Sequence, residues 1–294
     1  TKLNKAVIGI SGGLDSTLSL LVVVKTFKLL GIDNSNIIAV TMPGFGTTDR
    51  TYTNALTLCK ELSCDLREIN IVDAALQHFK DIGHDKDIHD VTYENVQARE
   101  RTQILMDIAN KEGGLLIGTG DLSELALGWC TYNGDHMSMY AVNTSVPKTL
   151  VQYICKVYAL TCKAELLKDT LLSIVDTPIS PELTPNKEGQ IAQKTEDKIG
   201  KYDLNDFFMF YTMRYGFGPE KIMALALRAY PEIDKEYMRD AMIRFFNRFF
   251  HQQFKRSCLP DGPKVGSVTL SPRGDWRMPS DASVSLWIDI IKNA

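Results

Sequence analysis

The sequence has no charge of one sign in excess and no long hydrophobic run. Thirty-three Lys and Arg against thirty-six Asp and Glu leave a formal net charge of −3. No overall basic field exists to gather nucleic acid, so no nucleic acid is expected as the main partner. The longest predominantly apolar stretch, Leu18 to Val24, is far too short to span a bilayer, so no membrane partner is expected. Six cysteines, at 59, 64, 130, 155, 162 and 258, form no C-x-x-C and meet no histidines at zinc spacing. They read as reduced thiols of a cytoplasmic protein. Cys130 has no histidine partner in sequence reach and is expected to be simply buried. A basic leader with an apolar core is also missing, so secretion is not indicated. The chain opens with Thr1 only a few residues before an apolar strand-like run, which suggests a piece of a longer polypeptide.

What is present is an alternation of buried-strand and helix patterns within one expected domain, residues 1–294. Lys5 to Ile10 is short, rich in β-branched residues and glycine-bounded, the pattern of a buried strand. Ser16 to Leu30 is apolar throughout and stops at Gly31, which predicts a buried helix with a glycine C-cap. Asn36 to Thr41 predicts a strand, Thr48 to Leu62 a helix, Asp65 to Ile71 a strand, Val91 to Lys111 a helix and Leu115 to Thr119 a fourth strand. The order predicts an α/β, Rossmann-like doubly wound parallel sheet with a mainly helical C-terminal part after Val151. A Pro/Asn-rich loop is expected from Pro178 to Gly189, and a Gly/Pro-rich stretch from Leu259 to Asp281 before a short terminal helix. Ligands of such sheets bind beyond the carboxyl ends of the strands, so loops 11–16, 42–49 and 119–135 should converge.

Ser11-Gly12-Gly13-Leu14-Asp15-Ser16 joins the first strand to the first helix. Its glycines permit close backbone approach and its amides lie at a helix N-terminus, an arrangement suited to an oxyanion. The Walker A lysine is absent and so is the G-x-G-x-x-G fingerprint, which leaves a phosphate turn of another kind. An acidic side chain in an anion-binding loop makes sense if Asp15 holds Mg²⁺ against a departing pyrophosphate; its plainer role is a helix N-cap. The segment His84-Asp85-Lys86-Asp87-Ile88-His89-Asp90 offers two histidines and three carboxylates, but zinc prefers ligands on fixed elements, and a lid over the nucleotide fits it better.

The S-G-G-x-D-S string resembles the signature of the ATP pyrophosphatase family, whose members cleave ATP to AMP and pyrophosphate and transfer the adenylyl group to an oxygen. Further strings narrow the resemblance to NAD synthetase, in the branch fused to a glutaminase. They are Met42-Pro43-Gly44-Phe45-Gly46-Thr47-Thr48, Phe79 through Asp85, Tyr93 through Arg101, Gly118-Thr119-Gly120-Asp121-Leu122-Ser123-Glu124, Trp129, Asn133 through Tyr140, Gln253 through Ser257 and Gly274-Asp275-Trp276-Arg277. The resemblance covers essentially the whole chain and implies an adenine nucleotide α-hydrolase-like fold. It also implies ATP-dependent amidation of deamido-NAD by ammonia through an acyl-adenylate.

Carried over residue by residue, it implies that Ser11, Gly12, Gly13, Asp15, Ser16, Met42, Thr119 and Lys148 contact ATP, and that Asp15 and Glu124 bind Mg²⁺. Asn95, Arg99, Glu124, Trp129, Tyr132 and Lys255 would face deamido-NAD, and Asp15, Glu124 and Lys148 would be the catalytic set. Trp129 would stack on the nicotinic ring, and Lys148 would neutralise charge building on phosphorus. In the ammonia-only relatives a lysine stands where this chain has Tyr132, and an aspartate stands near the place of Met139. The resemblance further implies a homodimer or higher homo-oligomer and an N-terminal glutaminase domain, the latter expected to be absent from these 294 residues. Two other functions fit the scaffold: an ATP pyrophosphatase acting on another substrate such as tRNA, and a non-catalytic nucleotide sensor.

Overall fold

A computed structural model describes residues 2–180, 183, 184 and 195–293. Four strands carry the expected apolar runs: β1 (Ala6–Gly9), β2 (Ile37–Thr41), β3 (Asp65–Glu68) and β4 (Leu115–Gly118), with a short fifth, β5 (Tyr140–Ala141). All pair in parallel, in the order β3-β2-β1-β4-β5. The chain therefore winds outward from β1 through β2 and β3, then crosses back to β4 on the other side of β1. The crevice between β1 and β4 is the topological switch point at which such sheets bind ligands.

Side chains alternate across the sheet because the strand period is two. Ala6, Ile8, Ile37 and Ala39 face one layer, with α1 (Leu14–Leu30), α2 (Asp49–Glu61), α6 (Lys148–Thr161) and α7 (Glu165–Val175) packed over it. Val7, Ile38, Val40 and Leu116 face the other, under α4 (Val91–Glu112). Gly31 ends α1 in the left-handed conformation, φ 68°, the expected glycine cap.

The third strand stops at Glu68 rather than Ile71, yet its edge bonding continues, with Ile69 N donating to the Thr41 carbonyl and Ile71 N to that of Pro43. Two elements lie in segments where no helix or strand is expected: α3 (Val72–Ile82) and β5. β5 is only two residues long and sits at a sheet edge, too short to leave a periodic trace.

A helical body follows: α8 (Thr195–Ile199), α9 (Tyr202–Tyr215), α10 (Pro219–Ala229), α11 (Lys235–His251), α12 (Gln253–Arg256) and α13 (Ser285–Asn293). It shares a core of Phe208, Phe245, Phe246 and Phe249 with the short α5 (Leu122–Leu127) that follows β4. Of the Pro178 to Gly189 loop, residues 181, 182 and 185–189 lie outside the described residues. Among the described residues no helix is long and apolar enough to cross a membrane.

Candidate active site

The turn after β1 is held by its own side chains. Ser11 Oγ accepts from Gly13 N at 3.2 Å and lies 3.2 Å from Ser16 Oγ, which donates to the Gly13 carbonyl at 3.1 Å. Gly12 adopts φ 81°, and a Cβ there would collide with the Thr51 carbonyl of α2, so only glycine fits. The amides of Leu14, Asp15 and Ser16 begin α1, where no intrahelical acceptor reaches them. The turn therefore presents free donors at the positive end of a buried helix.

Four ionisable side chains meet beside this turn. Lys148 Nζ lies 2.5 Å from Asp15 Oδ2, 2.9 Å from Asp121 Oδ2 and 3.0 Å from Glu124 Oε1. Lys148 is 2% exposed and Asp121 fully buried. Asp15 comes from the first turn of α1, Asp121 and Glu124 from the start of α5, and Lys148 from the start of α6. Asp121 is the N-cap of α5 and accepts from Glu124 N at 2.8 Å, which fixes the two carboxylates relative to each other. Asn143 Nδ2 reaches the Asp15 and Thr119 carbonyls at 3.0 and 3.1 Å, tying the loops after β1 and β4 together.

Charge and burial compete here. Burial pushes Asp121 well above the usual carboxylate range, and Lys148 only partly counters it. Glu124 is pushed up to about 7, first by burial and further by Asp15, against the pull of Lys148. Burial alone would lower Lys148, but Asp121, Asp15 and Glu124 together hold it well above the ordinary lysine value. The Tyr202 ring lies 5.5 Å below its ammonium.

Asp15, Asp121 and Glu124 each offer an oxygen within 4.8 Å of the others. Asp15 Oδ1 is buried and accepts no hydrogen bond among the described residues, while Asp121 Oδ2 faces the Lys148 ammonium. Hard carboxylate oxygens with unused lone pairs fit a divalent cation such as Mg²⁺. Asp121 was not singled out from sequence, although it stands inside the Gly118 to Glu124 string; its signal is a carboxylate directly after a buried strand.

A cavity of about 810 Å³ opens from this centre, and the loops at 11–16, 42–49 and 119–135 converge on it. Ser11, Asp15, Ser16, Met42, Thr119 and Glu124 line one end, and Asn95, Arg99, Trp129, Tyr132 and Lys255 line the rest. Gly12, Gly13 and Lys148 lie behind the wall rather than in it. Arg99 Nε donates to the Tyr132 carbonyl at 3.2 Å, and Asn95 Oδ1 accepts from Thr131 Oγ1 at 2.7 Å, so α4 supports the 129–135 loop. Lys255 Nζ donates to the Gly128 and Cys130 carbonyls at 2.8 and 2.6 Å. Trp129 carries Arg248 and Lys198 near its ring, at 5.1 and 5.9 Å from the centroid.

Arg256 is 1% exposed rather than solvated, and donates to the Leu125 and Ala126 carbonyls at 3.2 and 2.9 Å and to that of Phe249. Burial pushes the Cys130 thiol above its ordinary value, as expected of an inert cysteine. His84, His89 and the neighbouring carboxylates form no metal cluster; among the described residues the only such group is Asp15, Asp121 and Glu124. The segment instead rims the cavity through His89 and Asp90, with His89 packed on Tyr93 at 4.7 Å.

A parallel sheet with a glycine phosphate turn and an acidic cluster at its switch point defines a nucleotide-binding α/β protein. The model of the NAD synthase family matches residues 1–227, and the chain belongs to that family. It is similar to the glutamine-dependent NAD(+) synthetase of Mycobacterium leprae, at 46% identity over 98% of this chain and 46% of that protein. That of Mycobacterium bovis is 45% identical over the same shares. The chain thus spans about half the length of the curated relatives it matches. The crystal structure of a glutamine-dependent NAD(+) synthetase from Cytophaga hutchinsonii shares the fold, with a TM-score of 0.77 at 18% identity over 99% of this chain and 52% of that one.

Proposed function

We propose that this chain amidates the nicotinic carboxylate of deamido-NAD with ammonia, consuming ATP and releasing AMP and pyrophosphate. Family membership supports the reaction class, and one observation carries the chemistry: a buried acidic triad beside a phosphate turn, opening on a cavity of about 810 Å³.

A carboxylate is a poor electrophile because resonance spreads its charge. It must attack the α-phosphorus of ATP first, forming an acyl-adenylate and expelling pyrophosphate; ammonia then adds to the acyl carbon and AMP leaves. The turn at 11–16 would hold the phosphates through its free amides and through Ser11 and Ser16. Asp15, Asp121 and Glu124 would hold Mg²⁺, which when bound neutralises charge on the pyrophosphate. Lys148 bridges the three carboxylates and pulls Asp121 and Glu124 back toward their charged forms, and Met42 and Thr119 would flank the nucleotide. Asn95, Arg99, Glu124, Trp129, Tyr132 and Lys255 would orient the dinucleotide, so that reaction proceeds within one cavity rather than between free molecules.

In glutamine-dependent relatives nitrogen comes from glutamine, and a glutamine-hydrolysing domain is the proposed partner here, with a second copy of the chain as the other. The test is NAD formation with equimolar pyrophosphate from deamido-NAD, MgATP and ammonium chloride. Pyrophosphate release that does not require deamido-NAD would point to a different acceptor, and ATP binding without turnover to a sensor.

A further inference from the structure

Beyond the acidic group, the same cavity is lined by cations that form no ion pair among the described residues. Arg248 on α11 spends Nε on the Leu127 carbonyl, at 2.9 Å, and its guanidinium carbon stands 5.1 Å from the Trp129 ring centroid. Neither Arg248 nor Lys255 forms an ion pair among the described residues, and both line the cavity. Lys198 on α8 reaches the same ring and the same cavity. Burial pulls both Arg248 and Lys255 below their ordinary values, and Arg248 lowers Lys255 further. Asp135 tempers Lys255 at longer range but is itself engaged by Thr131 N at 2.7 Å. Two like charges held close together in a partly desolvated cavity need an anion between them.

Resting on the dinucleotide reading of the cavity, we infer that Arg248 is a specificity-determining residue that receives the ring carboxylate of the substrate and separates the acid from its amide product. With Nε already bonded, the two terminal nitrogens are left to face the ligand, a fork that matches two carboxylate oxygens. A carboxamide offers one acceptor and turns an NH₂ toward a donor, which leaves a buried N–H unpaired. Trp129 then acts less as a bare stacking surface than as the wall that holds the guanidinium flat. The dinucleotide's diphosphate is the other anion that could sit here, and it is common to acid and amide.

Calorimetric titration of deamido-NAD and of NAD into the magnesium-loaded protein with a non-hydrolysable ATP analogue separates these cases. The inference predicts that Arg248→Gln weakens deamido-NAD at least about thirtyfold, leaves NAD and the ATP analogue nearly unchanged, and so collapses the acid-to-amide preference. Arg248→Lys, which keeps the charge and loses the fork, should lie between and carries the test if the glutamine variant melts early. An unchanged preference in either variant, or an equal loss for both dinucleotides, overturns the inference. Failure of the unmodified protein to bind deamido-NAD at all would instead overturn the dinucleotide reading itself.

Discussion

Lys148 illustrates how one residue can serve stability and chemistry together. Its ammonium is almost entirely buried and faces three carboxylates, so deleting it leaves like charges packed without a counter-ion. Lys148→Met is expected to destabilise the fold by about 3–5 kcal/mol. Added Mg²⁺ should recover part of that loss, since the same oxygens can take the metal. Urea denaturation with and without Mg²⁺ measures both, and a midpoint unmoved by the substitution would contradict the charge account. Asp15→Asn, Asp121→Asn and Glu124→Gln keep side-chain volume while removing metal-ligating charge, and each should lower turnover about 100-fold or more with folding retained. Near-normal activity at saturating Mg²⁺ would remove that residue from the centre.

At the scale of elements, short buried segments are set by distant polar ties. Asp206 on α9 is buried, which pushes its pKa up, and it accepts from Ser123 Oγ on α5 and from Thr149 N and Oγ1 on α6 at 3.2 and 2.8 Å. Ser123 Oγ in turn accepts from Lys148 N at 2.8 Å, so the helical body fixes the helix starts that carry Glu124 and Lys148. Elsewhere Glu112, at the end of α4, binds Lys5 before β1 at 3.0 Å and Arg67 on β3 at 2.8 Å. Arg67 first, and Lys5 with it, hold Glu112 down at about 2. A depressed acid stabilises the fold above its unfolded pKa and loses that contribution as pH falls, here between about 4.5 and about 2. Glu112→Gln should therefore flatten the fall in stability across that window, read as urea midpoint against pH; an unchanged slope would show that the network does not govern it. The 83–90 segment ends at Asp90, the N-cap of α4, whose carboxylate accepts from Thr92 N at 2.8 Å. Shortening it should lower turnover more than ATP affinity if it closes the cavity. Equal loss of both would assign it a structural role.

Across the whole molecule, the half built from local pattern was readable in advance and the half built from distant contacts was not. β1, β2 and β4 are apolar runs bounded by glycine or turns, and the S-G-G-x-D-S turn has a fixed place between strand and helix, so the sheet and its phosphate end followed from residue order. Asp15, Glu124 and Lys148 were assigned from resemblance, and the structure brings them within one ion cluster. Arg248 and Asp206 carry no such signal, because each sits mid-helix among residues that read as ordinary helix face and core, and meets the site only through tertiary packing. β5 was hidden by its length. The nitrogen donor is a question of the same scale. Burial pushes Cys59, Cys64 and Cys155 up to about 12, which leaves little thiolate for attack on an amide. Ammonium rather than glutamine is the expected nitrogen donor of these 294 residues, and NAD formation from ammonia-free glutamine would reveal an amidase site within them.

One cavity would hold both the metal-bound nucleotide and the dinucleotide, and the stoichiometry of the reaction tests this arrangement. With deamido-NAD, MgATP and ammonium, NAD, AMP and pyrophosphate should appear in equal amounts, and omitting ammonium should leave an adenylated dinucleotide that hydroxylamine traps. Pyrophosphate formed at the same rate without deamido-NAD, or NAD formed without pyrophosphate, would contradict it.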